Sequence, residues 1–299
     1  CGRVFYPNEN FTGIKNTITF TPDKSKILPK YLFCIMQKNE LPRRGGGQPF
    51  MSKGDVQKYK IVLPPLEIQK EIIEQIEVKQ NAIEHAKAII QNLERERRYF
   101  GQSLRKVEDI KSEKLEKICE IGDGNHSSNY PKASEMVKSG VPFIRATNIV
   151  DLKIDPADMR FITNEKHLKL KKGHLKTNDV LFSNRGEIGK VALINEKYNK
   201  ANLNSQLAWL RAGQSVLPKF LLYILNSAEI QSKLKIEQGG ATLQQYTIKQ
   251  IKNLKIPLPT LEIQKQMVEE MEKEEAIIAA NRQLIEVMEK KISAVLSEV

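Results

Sequence analysis

The sequence is short of the residues that mark redox, metal or membrane proteins. Only three cysteines occur in 299 residues, Cys1, Cys34 and Cys119, with no CxxC spacing. A disulfide framework is excluded, a zinc site fits poorly, and reduced structural thiols in a cytoplasm are the expectation. The four histidines, His85, His126, His167 and His174, show neither HExxH nor HxH spacing, which argues against a metal centre. No apolar run approaches the roughly 18 residues of a membrane-spanning helix, and the opening CGRVFYPNEN has no signal-peptide pattern. No GxGxxG follows a β-type run, and RGEIGK at 185–190 departs from the phosphate-loop pattern because Val191 follows the lysine. Asp23 with its lysines, or Glu67 with Lys70, can be forced into a nuclease pattern. Glu67 and Lys70 read better as a solvated first helical turn, and no acid–base pair or nucleophile stands out.

What is present is charge, and it is unevenly placed. The chain carries +12 overall, from 48 Lys and Arg against 36 Asp and Glu. Residues 1–64 hold +7 and residues 113–258 hold +9, whereas 65–112 are neutral and 259–299 hold −4. A basic surplus confined to two segments suits proteins that grip phosphate backbones; it also suits an ordinary lysine-rich surface.

The organising feature is a repeat. IVLPPLEIQK at 61–70 returns as IPLPTLEIQK at 256–265, an offset of 195 residues. Ile61 and Leu63 alternate as a β-segment would, and Pro64-Pro65 bars a helix upstream while suiting a helix's first turn. Glu67 and Glu262 then fall where the helix dipole favours an acid. The match extends backwards: Pro29-Lys30-Tyr31-Leu32 parallels Pro218-Lys219-Phe220-Leu221, each opening a short amphipathic helix. A duplicated module follows. Nothing in this sequence corresponds, in the first copy, to residues 113–188. Together with the opening on Cys1 rather than Met, this gives the expectation that sequence upstream is missing.

Four segments result. Residues 1–64 read as the C-terminal part of one α+β module, 65–112 as a long helix, 113–258 as a complete α+β module, and 259–299 as a second long helix. In the first helix, expected from Leu66 to about Arg105, Ile76, Ile83, Ile90, Arg97 and Leu104 recur every seven residues, with Ile72, Lys79, Ala86, Leu93 and Phe100 as companions. In the second, Met271, Ile278, Ile285, Ile292 and Val299 accompany Met267, Glu274, Asn281, Met288 and Val295. These are coiled-coil seams. A homodimeric zipper, or packing of each helix on its own domain, would satisfy the pattern; pairing of the two helices with one another is the expectation.

In the complete module, β-type runs lie at 141–145, 180–183, 191–194 and 207–210, with helices expected at 131–138, 217–227 and 247–252. Four polar loops lie between them, at 124–130, 145–148, 183–190 and 239–245. Asn and Gln bridge adenine's N6 and N7, Arg and Lys bridge guanine's O6 and N7, and Ser, Thr and glycine amides hold phosphates. The candidate DNA-contacting residues are therefore His126, Asn129, Tyr130, Arg145, Asn148, Asn184, Arg185, Lys190, Gln244 and Gln245. Turn formation alone would equally explain many of these Asn, Ser and Gly residues.

Taken together, these features resemble the specificity subunit of type I restriction–modification enzymes. The residues that carry the resemblance are the twice-used LPxLEIQK before a long helix, Val141-Pro142-Phe143-Ile144-Arg145-Ala146-Thr147-Asn148-Ile149, and Asp179-Val180-Leu181-Phe182-Ser183-Asn184-Arg185-Gly186 followed by Gly189-Lys190-Val191. Gly239-Gly240 completes the set. The resemblance implies target-recognition domains that each read half of a split DNA site, joined by two packed spacer helices. It implies recognition without catalysis: methyltransferase subunits, carrying S-adenosylmethionine, would methylate adenine, and restriction subunits would cleave. This chain departs from the pattern in lacking most of a first recognition domain. Pairing of two copies, each supplying its complete domain, would restore two readers. A lone endonuclease and a coiled-coil adaptor without DNA affinity remain the rival readings.

Overall fold

The computed structural model describes residues 4–7, 17–38, 52–102, 104, 110–124, 126, 130–238 and 245–298. The chain forms two compact units, residues 1–92 with 276–299, and residues 93–275. Both boundaries fall inside the long helices.

In the first unit, helix α1 (Pro29–Lys38) is followed by the short α2 (Lys53–Gln57) and the long α3 (Leu66–Arg97). Ser52 caps α2: its Oγ accepts from the Asp55 amide at 3.1 Å while the Asp55 carboxylate accepts from the Ser52 amide at 3.0 Å, satisfying two helix-end donors reciprocally. Tyr31, Cys34 and Ile35 of α1 pack with Ile72 and Ile76 of α3 and with Ile292, Val295 and Leu296 of the C-terminal helix. Burial pushes the Cys34 thiol above its ordinary range, in keeping with an inert core thiol. One expectation fails here. Ile61–Leu63 forms no strand, because among the described residues nothing pairs with it. Its counterpart in the second copy does pair, as follows.

The second unit opens with β1 (Ser112–Lys114), α4 (Leu115–Ile118), β2 (Cys119–Asp123), β3 (Val141–Ile144), β4 (Ile149–Val150), β5 (Lys153–Ile154) and β6 (Arg160–Ile162). It continues with α5 (Asn164–Lys169), β7 (Val180–Ser183), β8 (Val191–Leu193), β9 (Asn202–Leu203) and β10 (Leu207–Ala212). Helices α6 (Pro218–Asn226), α7 (Ala228–Gln238) and α8 (Ile248–Asn253), strand β11 (Lys255–Pro257) and helix α9 (Leu261–Ser297) complete it. Strands β1 and β11 pair antiparallel and so close the module where it enters and leaves. The central sheet is antiparallel in the order β2-β10-β7-β8, beside a sheet β6-β3-β9 whose β3–β9 pair is parallel. Strand β7 is buried throughout. Val180 and Phe182 join the core beneath α6–α8, and Leu181 joins a second core with Ile144, Ile149, Ile154 and Leu203. That two-sided burial is why VLFS lacks polar alternation.

The expected strands at 180–183, 191–194 and 207–210 and helices at 217–227 and 247–252 all form, within a residue or two at their ends. The helix expected at 131–138 does not: only a 3-10 turn, Ala133–Glu135, is present. The first long helix also stops short, at Arg97 rather than about Arg105. Beyond it, Tyr99 and Phe100 amides bond three residues back instead of four, and Gly101 turns the chain at φ 91°. The Phe100 ring lies 5.6 Å from that of Phe220 and 5.4 Å from that of Tyr223. Phe100 and Leu104 kept the heptad spacing because they anchor in the module's core, not because the helix continues.

The described seam positions of both helices are buried or partly buried. In the first unit Ile72 and Ile76 share a core with Ile292 and Leu296. In the second, Phe100 and Leu104 share one with Val268 and Met271. In the first unit an early stretch of α3 thus meets a late stretch of α9.

The repeat is most literal at one side chain. Gln69 and Gln264 are both fully buried. The Gln69 amide accepts from Leu28 N at 2.8 Å and donates to the carbonyls of Lys26 and Pro64 at 2.9 and 2.8 Å. Gln264 accepts from Leu217 N at 2.9 Å and donates to Ser215 and Pro259, both at 2.9 Å. Each clasp ties a long helix to the segment leading into the short helix before it. The ion pairs Lys30–Glu77 and Lys219–Glu272 repeat in the same way.

Candidate nucleic-acid interface

Loop 183–190 is tightly self-bonded. Ser183, fully buried, donates its hydroxyl to the Glu187 carbonyl at 2.6 Å and accepts from the Lys190 amide at 2.8 Å. Gly186 and Gly189 take φ values of 72° and 92°, the left-handed region that glycine adopts without a Cβ penalty. At Gly189 a Cβ would also meet Gln231 Oε1 at 2.7 Å.

This loop is bonded to its neighbours through backbone. The Asn184 amide donates to the Gln206 carbonyl at 2.9 Å, and the Asn184 carbonyl accepts from the Tyr246 amide at 2.8 Å. Arg185 bridges to Gln245. The Asn204 amide donates to the carbonyl of Ile144, the residue before Arg145, at 2.9 Å. Gly124 lies so close that a Cβ would sit 2.4 Å from the Asn204 carbonyl oxygen. Loop 183–190, Gly124 and the strand end before Arg145 therefore border one short segment, Asn204-Ser205-Gln206, between β9 and β10, and Gln245 joins them through Arg185. Sequence reasoning missed that segment, although a polar Asn-Ser-Gln wedged between Leu203 and Leu207 was a usable signal.

The candidate residues separate into groups. His126 is exposed, with Nε2 3.1 Å from an Asp123 oxygen. Asn184 is buried, and its Oδ1, like Arg145 Nε and Arg185 Nε, has no hydrogen-bond partner among the described residues. Buried polar atoms are normally satisfied, so these three suit a group that arrives with a ligand. Gln245 is exposed beside them, and Lys190 Nζ lies 2.7 Å from Glu187 on the same loop. Asn129 and Gln244 lie outside the described residues.

Asn148 and Tyr130 serve the framework, and Arg145 does so through one end of its guanidinium. Asn148 is 1 % exposed; its Oδ1 accepts from the Arg145 amide at 3.1 Å, and its Nδ2 donates to the carbonyls of Asp155 and Ala157 at 3.3 and 3.1 Å. That amide is spent on backbone and cannot also bridge a base. Arg145 donates to Asp158, whose carboxyl it holds below the usual carboxylate range, with Nη2 2.8 Å from Oδ2. Tyr130 sets its ring edge-on to Phe143, centroids 5.7 Å apart, in a small core with Ile162 and Leu170.

The family model described as the type I restriction modification DNA specificity domain matches residues 1–95 and 107–290. The type I restriction enzyme MjaVIII specificity subunit of Methanocaldococcus jannaschii is 27% identical over 319 residues, covering 97% of this chain and 73% of its own length. Two solved structures share the fold. One, from work on complex assembly and conformational transition of the type I R-M system, has a TM-score of 0.59 at 22% identity and covers 92% of this chain and 72% of its own. The other is the type I restriction–modification S subunit of M. genitalium, with a TM-score of 0.56 at 12% identity over 92% of this chain and 73% of its own. With the family model spanning nearly the whole sequence, this chain belongs to the type I restriction modification DNA specificity family.

Proposed function

We propose that this chain chooses the DNA site on which a type I restriction–modification complex acts, and leaves the chemistry to partner subunits. The observation that carries this reading is the gathering of loop 183–190, Gly124 and the strand end before Arg145 about Asn204–Gln206, in a module that holds +9 of the chain's net charge. Arg185, Gln245 and the unpartnered Asn184 Oδ1 supply donor and acceptor groups of the kinds that read base edges. The two long helices are the mount for methyltransferase subunits, which bring S-adenosylmethionine and methylate adenine; restriction subunits cleave. Two copies of the chain, each with one complete reader, would read the two halves of a split site.

Methylome sequencing of cells with and without the gene tests this directly. Loss of one split adenine motif on deletion is the expected result; an unchanged methylome would overturn the reading. A purified chain that cut DNA by itself with a divalent cation would support the endonuclease instead.

A further inference from the structure

Strand β10 carries Trp209 and Arg211 on the face opposite Ala208 and Leu210. These two side chains, strand β2 and the loop after α5 line an open groove of about 700 Å³. Gly122 on β2 makes room for the indole: a Cβ there would sit 2.5 Å from its ring. Arg211 lies over that ring at 4.5 Å. Its guanidinium is held by the fully buried Asp179 through bonds of 2.8 and 2.9 Å, with Glu120 at 3.2 Å. Lys172 is likewise answered, by Asp123 at 3.1 Å.

Two cations of the groove are not answered. Lys171 and Lys176 are exposed and have no acidic partner among the described residues. They flank Gly173, whose φ is 77° and whose added Cβ would lie 3.3 Å from Gly124 Cα and 3.4 Å from the Leu203 carbonyl. Gly124 in turn sits against the Asn204 carbonyl. The groove thus adjoins Asn204 across two glycines.

We propose that the groove holds a sugar–phosphate strand of the DNA, with Lys171 and Lys176 as its phosphate contacts. Affinity and site choice are then carried by adjoining but different residues. The inference rests on the DNA-recognition reading above and assigns the side of the module along which the duplex backbone runs. An open groove with two exposed, unpaired lysines at its edge suits a strand of regularly spaced phosphates. It lacks the enclosure that a small anion's site would have.

The test uses the full chain carrying Lys171→Ala and Lys176→Ala together. Both side chains are exposed, so folding is unaffected. Binding to a random-sequence duplex is followed by anisotropy across a salt series, and preferred sequences are selected from a randomised duplex pool. The expected result is a plot of log affinity against log salt that is shallower by about 2. Binding weakens alike for every duplex, and the selected sequence is the same as for the unaltered chain. Replacing both lysines by arginine retains the original slope. An unchanged slope, or a changed selected sequence, would overturn the assignment while leaving the recognition reading intact. Failure of the unaltered chain to bind any duplex would bring down that reading, and this inference with it.

Discussion

At the scale of single residues, the asparagines and arginines of the polar loops divide into builders and readers, and burial with bond count tells them apart. Asn148 makes three hydrogen bonds to backbone from a buried position. Its replacement by Ala leaves those groups unsatisfied and should cost about 1–3 kcal/mol of stability, visible as an earlier midpoint in urea unfolding. Arg185 presents the opposite case, bridged by backbone to Gln245 with its Nε unpartnered. Arg185→Ala should leave the midpoint within about 0.5 kcal/mol while weakening discrimination between preferred and random duplexes by roughly 1–3 kcal/mol. Competition binding measures the second quantity, and equal loss on both duplexes would assign Arg185 to phosphates. From sequence, Asn148 and Asn184 were indistinguishable. Each follows an apolar β-run, and nothing in one chain reveals that the turn at 155–158 folds back to consume the first amide. The Asp158 partner of Arg145, thirteen residues on, was hidden for the same reason.

At the scale of elements, the heptad seams were legible because a 3.5-residue period survives any detail of packing. The end of the first helix was not. Phe100 and Leu104 satisfy the period while the backbone has already left the helix, and only Gly101 hinted at it. Strands β2, β6 and β9 were missed because they are short and half polar, and their identity comes from their neighbours in the sheets. The seam also carries a liability. Glu274 on α9 is partly buried with one carboxylate oxygen unpartnered. Burial first, then the nearby Glu96 and Glu270 carboxylates, push its pKa up, against a smaller opposing pull from Arg97. A carboxyl whose folded pKa lies above its unfolded value holds its proton more readily when folded, so stability falls as pH rises through that interval. Glu274→Gln should therefore raise the thermal midpoint at neutral pH. The Glu270 repulsion alone is worth about 0.2–0.5 kcal/mol. The gain should vanish once the pH is below the unfolded value near 4.3. A gain that persisted in acid would place its origin in packing rather than charge.

At the scale of the whole molecule, the duplication and the charge map were both readable before any coordinates, because each is a property of the sequence and not of contacts. The gathering of the loops was hidden, since it is made by backbone bonds between segments about sixty residues apart. Net positive charge is concentrated away from the helices, so duplex binding should be lost steeply on going from 50 to 200 mM salt. A protein making 6–10 phosphate contacts loses about 10³–10⁵ in affinity over that range. A titration in which affinity moved less than tenfold would show that the surplus lysines do not meet DNA.

The two buried glutamines have a further consequence. Every partner of Gln69 and Gln264 is a main-chain atom, so the fastening senses the path of the polypeptide and is blind to which side chains decorate it. A reading head could exchange its entire loop repertoire, and with it its preferred sequence, and still latch onto the same shaft. What must be preserved is a bend of the right shape at the socket, a far smaller demand than preserving a surface.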